Sequence, residues 1–132
     1  MNFEALGTAW APRLLSILRI VVALLFMTHG IAKHFKYPAI PAFAKLETFS
    51  LIGFAGGLEL VGGALLILGL FTRPVAFILS GEMAFAYWMA HAPRGFHPLA
   101  NGGEGAILFC FIFLYIAAAG PGPWSIDAAR KK

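Results

Sequence analysis

The chain has 132 residues, of which 60% are hydrophobic and only 12% charged, with a mean hydropathy of +0.81. A soluble domain carries about 25% charged residues, so this composition excludes an ordinary water-soluble fold and requires a surface that faces an apolar medium. The net charge of +4 comes from ten Lys and Arg scattered between apolar segments, which excludes the basic patch of a nucleic-acid-binding protein and makes anionic lipid headgroups the expected partner.

Cys110 is the only cysteine, so no intrachain disulfide and no CxxC dithiol chemistry can form. Amid Phe109, Phe111 and Phe113 it reads as a packing residue.

Four apolar segments follow in chain order. The first covers residues 14–31, after Pro12 as a helix-start residue. It contains Arg19 and His29 and lacks a small-residue cleavage site, so it is expected to be a retained helix rather than a signal peptide. The second covers residues 51–71 and the third residues 74–90, joined through Thr72 and Arg73 as an antiparallel hairpin. The fourth, residues 104–119, is stopped by Gly120-Pro121-Gly122-Pro123. The connections carry Pro38, Pro41, Pro93 and Pro98, and Tyr87 and Trp88 suit the membrane interface. A spanning helix needs about 20 residues. The expectation is therefore an all-α fold, an integral membrane bundle of four transmembrane helices forming a single domain over residues 1–132.

Four spans put both termini on one side, with Arg13, Arg73, Arg130, Lys131 and Lys132. Lys33, Lys36, Lys45 and Arg94 fall on the other. The excess of cations on the first side places both termini in the cytoplasm, with the protein multi-pass in the inner (plasma) membrane.

Ionisable residues inside a span cost several kcal/mol, roughly 2.5–3.5 at a helix centre, and face the bundle interior. Glu59 and Glu82 sit mid-way along the second and third segments, and Arg19 near the middle of the first. These three are expected to meet in one layer, with Arg19 paired to a glutamate. Gly56, Gly62 and Gly63 lie within about 60° of Glu59 around its helix, so that face admits another backbone. A second polar layer is expected from His29 and Lys33, spaced i,i+4, with Asn101 and Glu104. His91 can join it only if Pro93 distorts its helix. The structural alternative is that the charges merely fix which helices are neighbours. Two carboxylates against one guanidinium leave one carboxylate over, which motivates a functional reading. His29, His34, His91 and His97 show no HxxH or HxxxH spacing, and no metal site is expected.

At these residues the sequence resembles the DoxX family of small bacterial and archaeal membrane proteins. The matching pieces are Arg19, His29-Gly30-Ile31-Ala32-Lys33 and Gly57-Leu58-Glu59-Leu60-Val61-Gly62-Gly63. Leu68-Gly69-Leu70-Phe71-Thr72-Arg73, Glu82-Met83-Ala84 and Asn101-Gly102-Gly103-Glu104 continue the pattern, with Gly120-Pro121-Gly122 before Trp124-Ser125-Ile126-Asp127. The resemblance covers residues 13–127 in the family's order. It implies four transmembrane helices and an association with membrane redox chemistry, since some relatives are quinone-linked thiosulfate oxidoreductase subunits.

Three functions are consistent with these features. The first is a redox-associated component that binds a quinone-like lipophilic molecule near Arg19, His29, Lys33, Glu59, Glu82, Asn101 and Glu104. Its electrons would come from other membrane or peripheral oxidoreductase subunits, and whether the chain itself catalyses is open. The second is a non-enzymatic accessory or assembly subunit, including a homo-oligomer. The third is a small proton-coupled exporter.

Overall fold

The computed structural model describes residues 2–45, 47 and 49–131. Among these the chain is helical throughout its regular structure: α1 (Phe3–Phe35), α2 (Leu51–Leu68), α3 (Thr72–Ala86), α4 (Pro98–Asn101), α5 (Glu104–Ala119) and α6 (Ile126–Arg130). Lys132, counted above among the cations, lies outside the described residues.

α1 begins at Phe3 rather than at residue 14. The Asn2 side chain accepts the amides of Glu4 (3.0 Å) and Ala5 (3.2 Å), a strong start signal. Pro12 then lies inside the helix instead of opening it. It withholds one amide from the ladder, and the helix continues on both sides of that gap. Lys36 closes the helix in the left-handed conformation (φ 56°).

α2 stops three residues earlier than the apolar run. Gly69 turns left-handed (φ 69°) and the Leu70 amide bonds back to the Leu65 carbonyl at 2.9 Å, the Schellman ending that glycine permits. α3 starts at Thr72 and passes into a π-turn at Tyr87–His91 and a 3-10 turn at Ala92–Arg94. Pro93, which has no amide to donate, lies in that last turn, and the regular ladder has already given way before it. α5 has the bounds read from the sequence. α4, a single turn, and α6 were not anticipated.

α1 packs along α2 and α3 along α5; the α2–α3 contact joins the two pairs, and α1 meets α5 only sparsely. Val22 and Phe26 of α1, Leu66 of α2, Leu79 of α3, and Phe113 and Ile116 of α5 form the core. The Phe26 and Phe113 rings meet edge-on with centroids 4.9 Å apart. Outward faces carry Leu25, Phe54, Val61, Phe77 and Phe111, all exposed, the arrangement of helices surrounded by lipid. α1 and α2 are long and apolar enough to cross a bilayer, and α5 is apolar over 16 residues.

The α1–α2 contact depends on glycine. A Cβ on Gly30 would lie 2.7 Å from the Gly56 carbonyl oxygen, and one on Gly63 3.0 Å from the Met27 Cβ. These contacts set the register: residue 30 stands opposite 56, and residue 27 opposite 63. Gly62 leaves room for Leu79, and Gly57 faces open space.

This packing gives a direct contrast. Gly30→Val should sharply lower the folded yield in membranes, because the obstacle is backbone that cannot move aside. Gly57→Ala should be neutral or stabilising by up to about 1 kcal/mol. Equal yields of the two variants would contradict the close approach.

Candidate functional site

Glu59 lies on the glycine-lined face of α2 and is 1% exposed. Lys33, two residues before the end of α1, reaches back along the helix so that its Nζ lies 2.5 Å from Glu59 Oε1. The Lys33 side chain is 12% exposed. Its Nζ also lies 5.7 Å from the Phe43 ring centroid, beneath the 3-10 turn Pro41–Phe43. A buried ion pair in an apolar medium survives only with both members present: losing one partner leaves an uncompensated charge, at about 3–5 kcal/mol.

Glu82 of α3 completes the group. Its carboxyl interacts electrostatically with Glu59 and Lys33, and its Oε1 is buried without a hydrogen-bond partner. Unpartnered buried oxygens are uncommon in native proteins and need a reason. His29 sits at the edge of this group, within electrostatic reach of Glu59 and Lys33. Its ring meets Phe109 of α5 edge-on with centroids 5.8 Å apart, and it is exposed along the sparse α1–α5 seam. The expected carboxylate pair therefore forms, and its cation is Lys33 in place of Arg19.

Arg19 belongs elsewhere. It is 1% exposed and donates from Nε to the Leu66 carbonyl (2.8 Å) and from a terminal nitrogen to the carbonyls of Trp124 (2.7 Å) and Ile67 (3.5 Å). The other terminal nitrogen binds the Pro121 carbonyl. The guanidinium thus satisfies the open carbonyls at the C-terminal end of α2 and ties the 120–124 turn to them. Ser16 contributes to the same knot, its hydroxyl accepting the Trp124 amide at 3.1 Å. Asp127 accepts the amides of Phe71 and Thr72, both at 2.9 Å, and so caps α3. Burial opposes its ionisation, but these amides and Arg130 outweigh burial and hold the carboxyl below its usual range, which keeps the cap charged at neutral pH. Arg73 binds the Ala117 and Ala118 carbonyls at the end of α5.

The expected second layer also divides. Asn101 is buried and fully engaged: its Nδ2 donates to Gly95 (2.9 Å) and Tyr87 (3.3 Å), and its Oδ1 accepts the Gly103 amide (2.8 Å). His91 Nδ1 lies 3.1 Å from the Asn101 carbonyl. The π-turn brings His91 to Asn101, while His29 and Lys33 stay with the carboxylates. Glu104 is exposed in the first turn of α5, where a negative charge suits the helix dipole. His34, absent from the expected site, bonds through Nε2 to the Gly53 carbonyl at 2.7 Å. Its i,i+4 spacing from Gly30 was the available signal. Among the described residues no three His, Cys, Asp or Glu side chains are placed to hold a metal ion.

An open groove on the outer face is lined by residues including Leu14, Ile17, Leu18, Val21 and Tyr115. It is not the charged site. Val21 precedes Lys33 by twelve residues, about 18 Å along the helix.

A family model described as DoxX matches residues 14–92, a segment holding Arg19, His29, Lys33, Glu59 and Glu82 but neither Asn101 nor Glu104. The chain is similar to an uncharacterized protein of Haemophilus influenzae, 46% identical over 122 residues, which covers 89% of this chain and 91% of that protein. It is also similar to an uncharacterized membrane protein of Mycobacterium tuberculosis, 28% identical over 148 residues, covering 94% of this chain and 85% of that protein. No solved structure matches the chain.

The placement of Arg19 separates it from the carboxylates experimentally. Arg19→Leu removes the donor to the Leu66 and Trp124 carbonyls, each hydrogen bond to a charged group being worth about 1.5–3 kcal/mol, so the folded yield should fall. Adding Glu59→Gln should leave that loss uncorrected. Recovery in the double variant would show an Arg19–Glu59 pair instead.

Proposed function

The chain belongs to the DoxX family of membrane proteins, and on that premise we propose that it is a four-span, redox-associated component of the plasma membrane that exchanges protons with a quinone-like lipophilic ligand. The observation that carries this reading is the buried, unpartnered Oε1 of Glu82 beside the Lys33–Glu59 pair. Two carboxylates share one ammonium, so electrical neutrality of the group calls for one proton or one ligand contact more than a purely structural pair would need.

The residues present suit such a ligand. His29 offers a ring nitrogen at the exposed edge of the cluster, Phe109 an aromatic face beside it, and the α1–α5 seam an apolar approach from the lipid. Reduction of a quinone-like ring takes up two electrons and two protons. Glu59 and Glu82 would pass protons through His29, and the electrons would come from a partner oxidoreductase. In this topology α3 with its following turns, and α5, complete the four spans, and both termini lie in the cytoplasm.

A second reading, a non-enzymatic accessory or assembly subunit, is favoured by a different feature: the first three turns of α1 lie exposed beyond the bundle, available to other subunits.

The test is Glu82→Gln, which preserves size and hydrogen bonding and removes the exchangeable proton. In a deletion strain grown under quinone or peroxide stress, this variant should reach normal membrane levels yet fail to restore growth. Full complementation by both Glu82→Gln and Glu59→Gln at normal levels would reduce the group to structural support.

A further inference from the structure

The two ends of the carboxylate group have different surroundings. Toward the chain termini it is sealed. Leu66 lies about two turns beyond Glu59 on α2, and Leu79 about one turn before Glu82 on α3. Phe113 and Ile116 follow the Phe109 that meets His29 on α5. These four side chains are at most 1% exposed. Apolar packing of that closeness leaves no room for water, so a proton does not reach Glu59 or Glu82 from that side.

Toward the α1–α2 loop the cover is thinner. Lys33 lies close to the end of α1 at Phe35. Its side chain is 12% exposed and that of Glu59 only 1%, so the ammonium is the part of the pair nearest to water. α2 presents Gly53 and Gly56 there. A Cβ on Gly56 would lie 2.8 Å from the His34 ring and 3.1 Å from Lys33 Cβ, and the His34 ring is held to the Gly53 carbonyl. His34 thus walls one flank of Lys33.

The cap over the ammonium is Phe43, with its ring centroid 5.7 Å from Nζ. Its neighbours Pro41, Ala42 and Ala44 are exposed, whereas Phe43 is half-buried. The turn closes on itself: the Phe43 amide donates to Ile40 (2.9 Å) and the Ala44 amide to Pro41 (3.3 Å). It can therefore lift as a unit without breaking a hydrogen bond of α1 or α2. A ring over an ammonium is attracted to the cation and excludes water, and it has no donor or acceptor that relays a proton.

On the reading of the cluster as a proton-exchanging site, we propose that protons enter it from the aqueous side of the α1–α2 loop, past Lys33, and that Phe43 opens and closes this entry. With the ring aside, water reaches the ammonium and the Glu59 carboxylate beside it. A proton from that water moves onto a carboxylate oxygen and is given on to the ligand, whose electrons come from the partner oxidoreductase. Ligand and protons then arrive by separate routes, the ligand along the α1–α5 seam and the protons from the loop side. Phe43 touches no ligand; it is a positioning residue that acts through Lys33.

The experiment uses the full chain in membrane vesicles of both orientations, sorted by protease access to an N-terminal tag. A membrane-impermeant carbodiimide is added together with a small amine. The reagent converts a carboxyl that it reaches into an amide, with Lys33 Nζ or with the added amine, and leaves as the urea that carries off the elements of water. Peptide mass spectrometry reads the amide at Glu59 or Glu82. With reagent on the loop side, Phe43→Ala should raise the modified fraction several-fold over wild type, and Phe43→Trp, which keeps the cover, should stay at the wild-type level. Phe43→Leu should fall between them and serves in place of Phe43→Ala if that variant accumulates poorly. Reagent on the termini side should modify neither carboxyl in any variant. Equal modification of wild type and Phe43→Ala, or none in either, would overturn the proposal, as would a Phe43→Trp as open as Phe43→Ala or modification from the termini side. Such a failure with Glu82→Gln inactive removes the entry route alone. The expected modification with Glu82→Gln fully active removes the proton-exchange reading alone.

Discussion

The buried charged groups among the described residues are governed by the cost of holding charge where water cannot reach. Lys33 and Glu59 meet that constraint jointly, at 2.5 Å, across the closest approach of α1 and α2. Glycine makes the approach possible: Gly30 faces Gly56, and the Glu59 side chain lies on the same face. A larger residue at either glycine would part the helices and leave ammonium and carboxylate separated in an apolar medium. The ion pair and the glycine contact therefore stand or fall together.

At the other end of the bundle the same constraint is met mainly through backbone groups. Arg19 neutralises helix-end carbonyls instead of a carboxylate, and Asp127 neutralises helix-start amides. Between them they bind the segment after α5 to the ends of α2 and α3, so the residues beyond Gly120 act as a closure for the bundle. Arg19, Arg73 and Asp127 at this end are engaged with backbone groups. At the other end the Glu82 Oε1 is buried without a hydrogen-bond partner, and the proposed function rests on that oxygen.

Part of the fold was legible in the sequence: the apolar runs mark the stretches that become α1, α2, α3 and α5, and the Gly-Pro stop at 120–123 ends α5. The glycine face around Glu59 was legible for the same reason, since 100° per residue fixes which side chains share a side. The partner of Glu59 was not. Arg19 and Lys33 lie on one stripe of α1, and angle alone cannot choose between them; depth can. They are fourteen residues apart, about 21 Å, and depth depends on the α1–α2 register. Centring the first helix on residues 14–31 set Arg19 level with Glu59, whereas the Asn2 cap starts α1 eleven residues earlier and the glycines seat residue 30 opposite 56. Arg19 then falls beside Leu66 and Lys33 is the cation within reach. His91 depended on a backbone irregularity that the sequence marked only through Pro93.

Lys33 and Glu59 form the pair on which α1 and α2 are assembled. A double-variant cycle of Lys33→Met and Glu59→Gln, read as thermal stability in mild detergent, tests it most directly. Lys33→Met should lose about 3–5 kcal/mol by stranding buried carboxylate charge, Glu59→Gln should lose less because Glu82 stays beside Lys33, and the double variant should lose less than the two single variants together. Strictly additive losses, with the double variant the least stable of the three, would contradict the pairing.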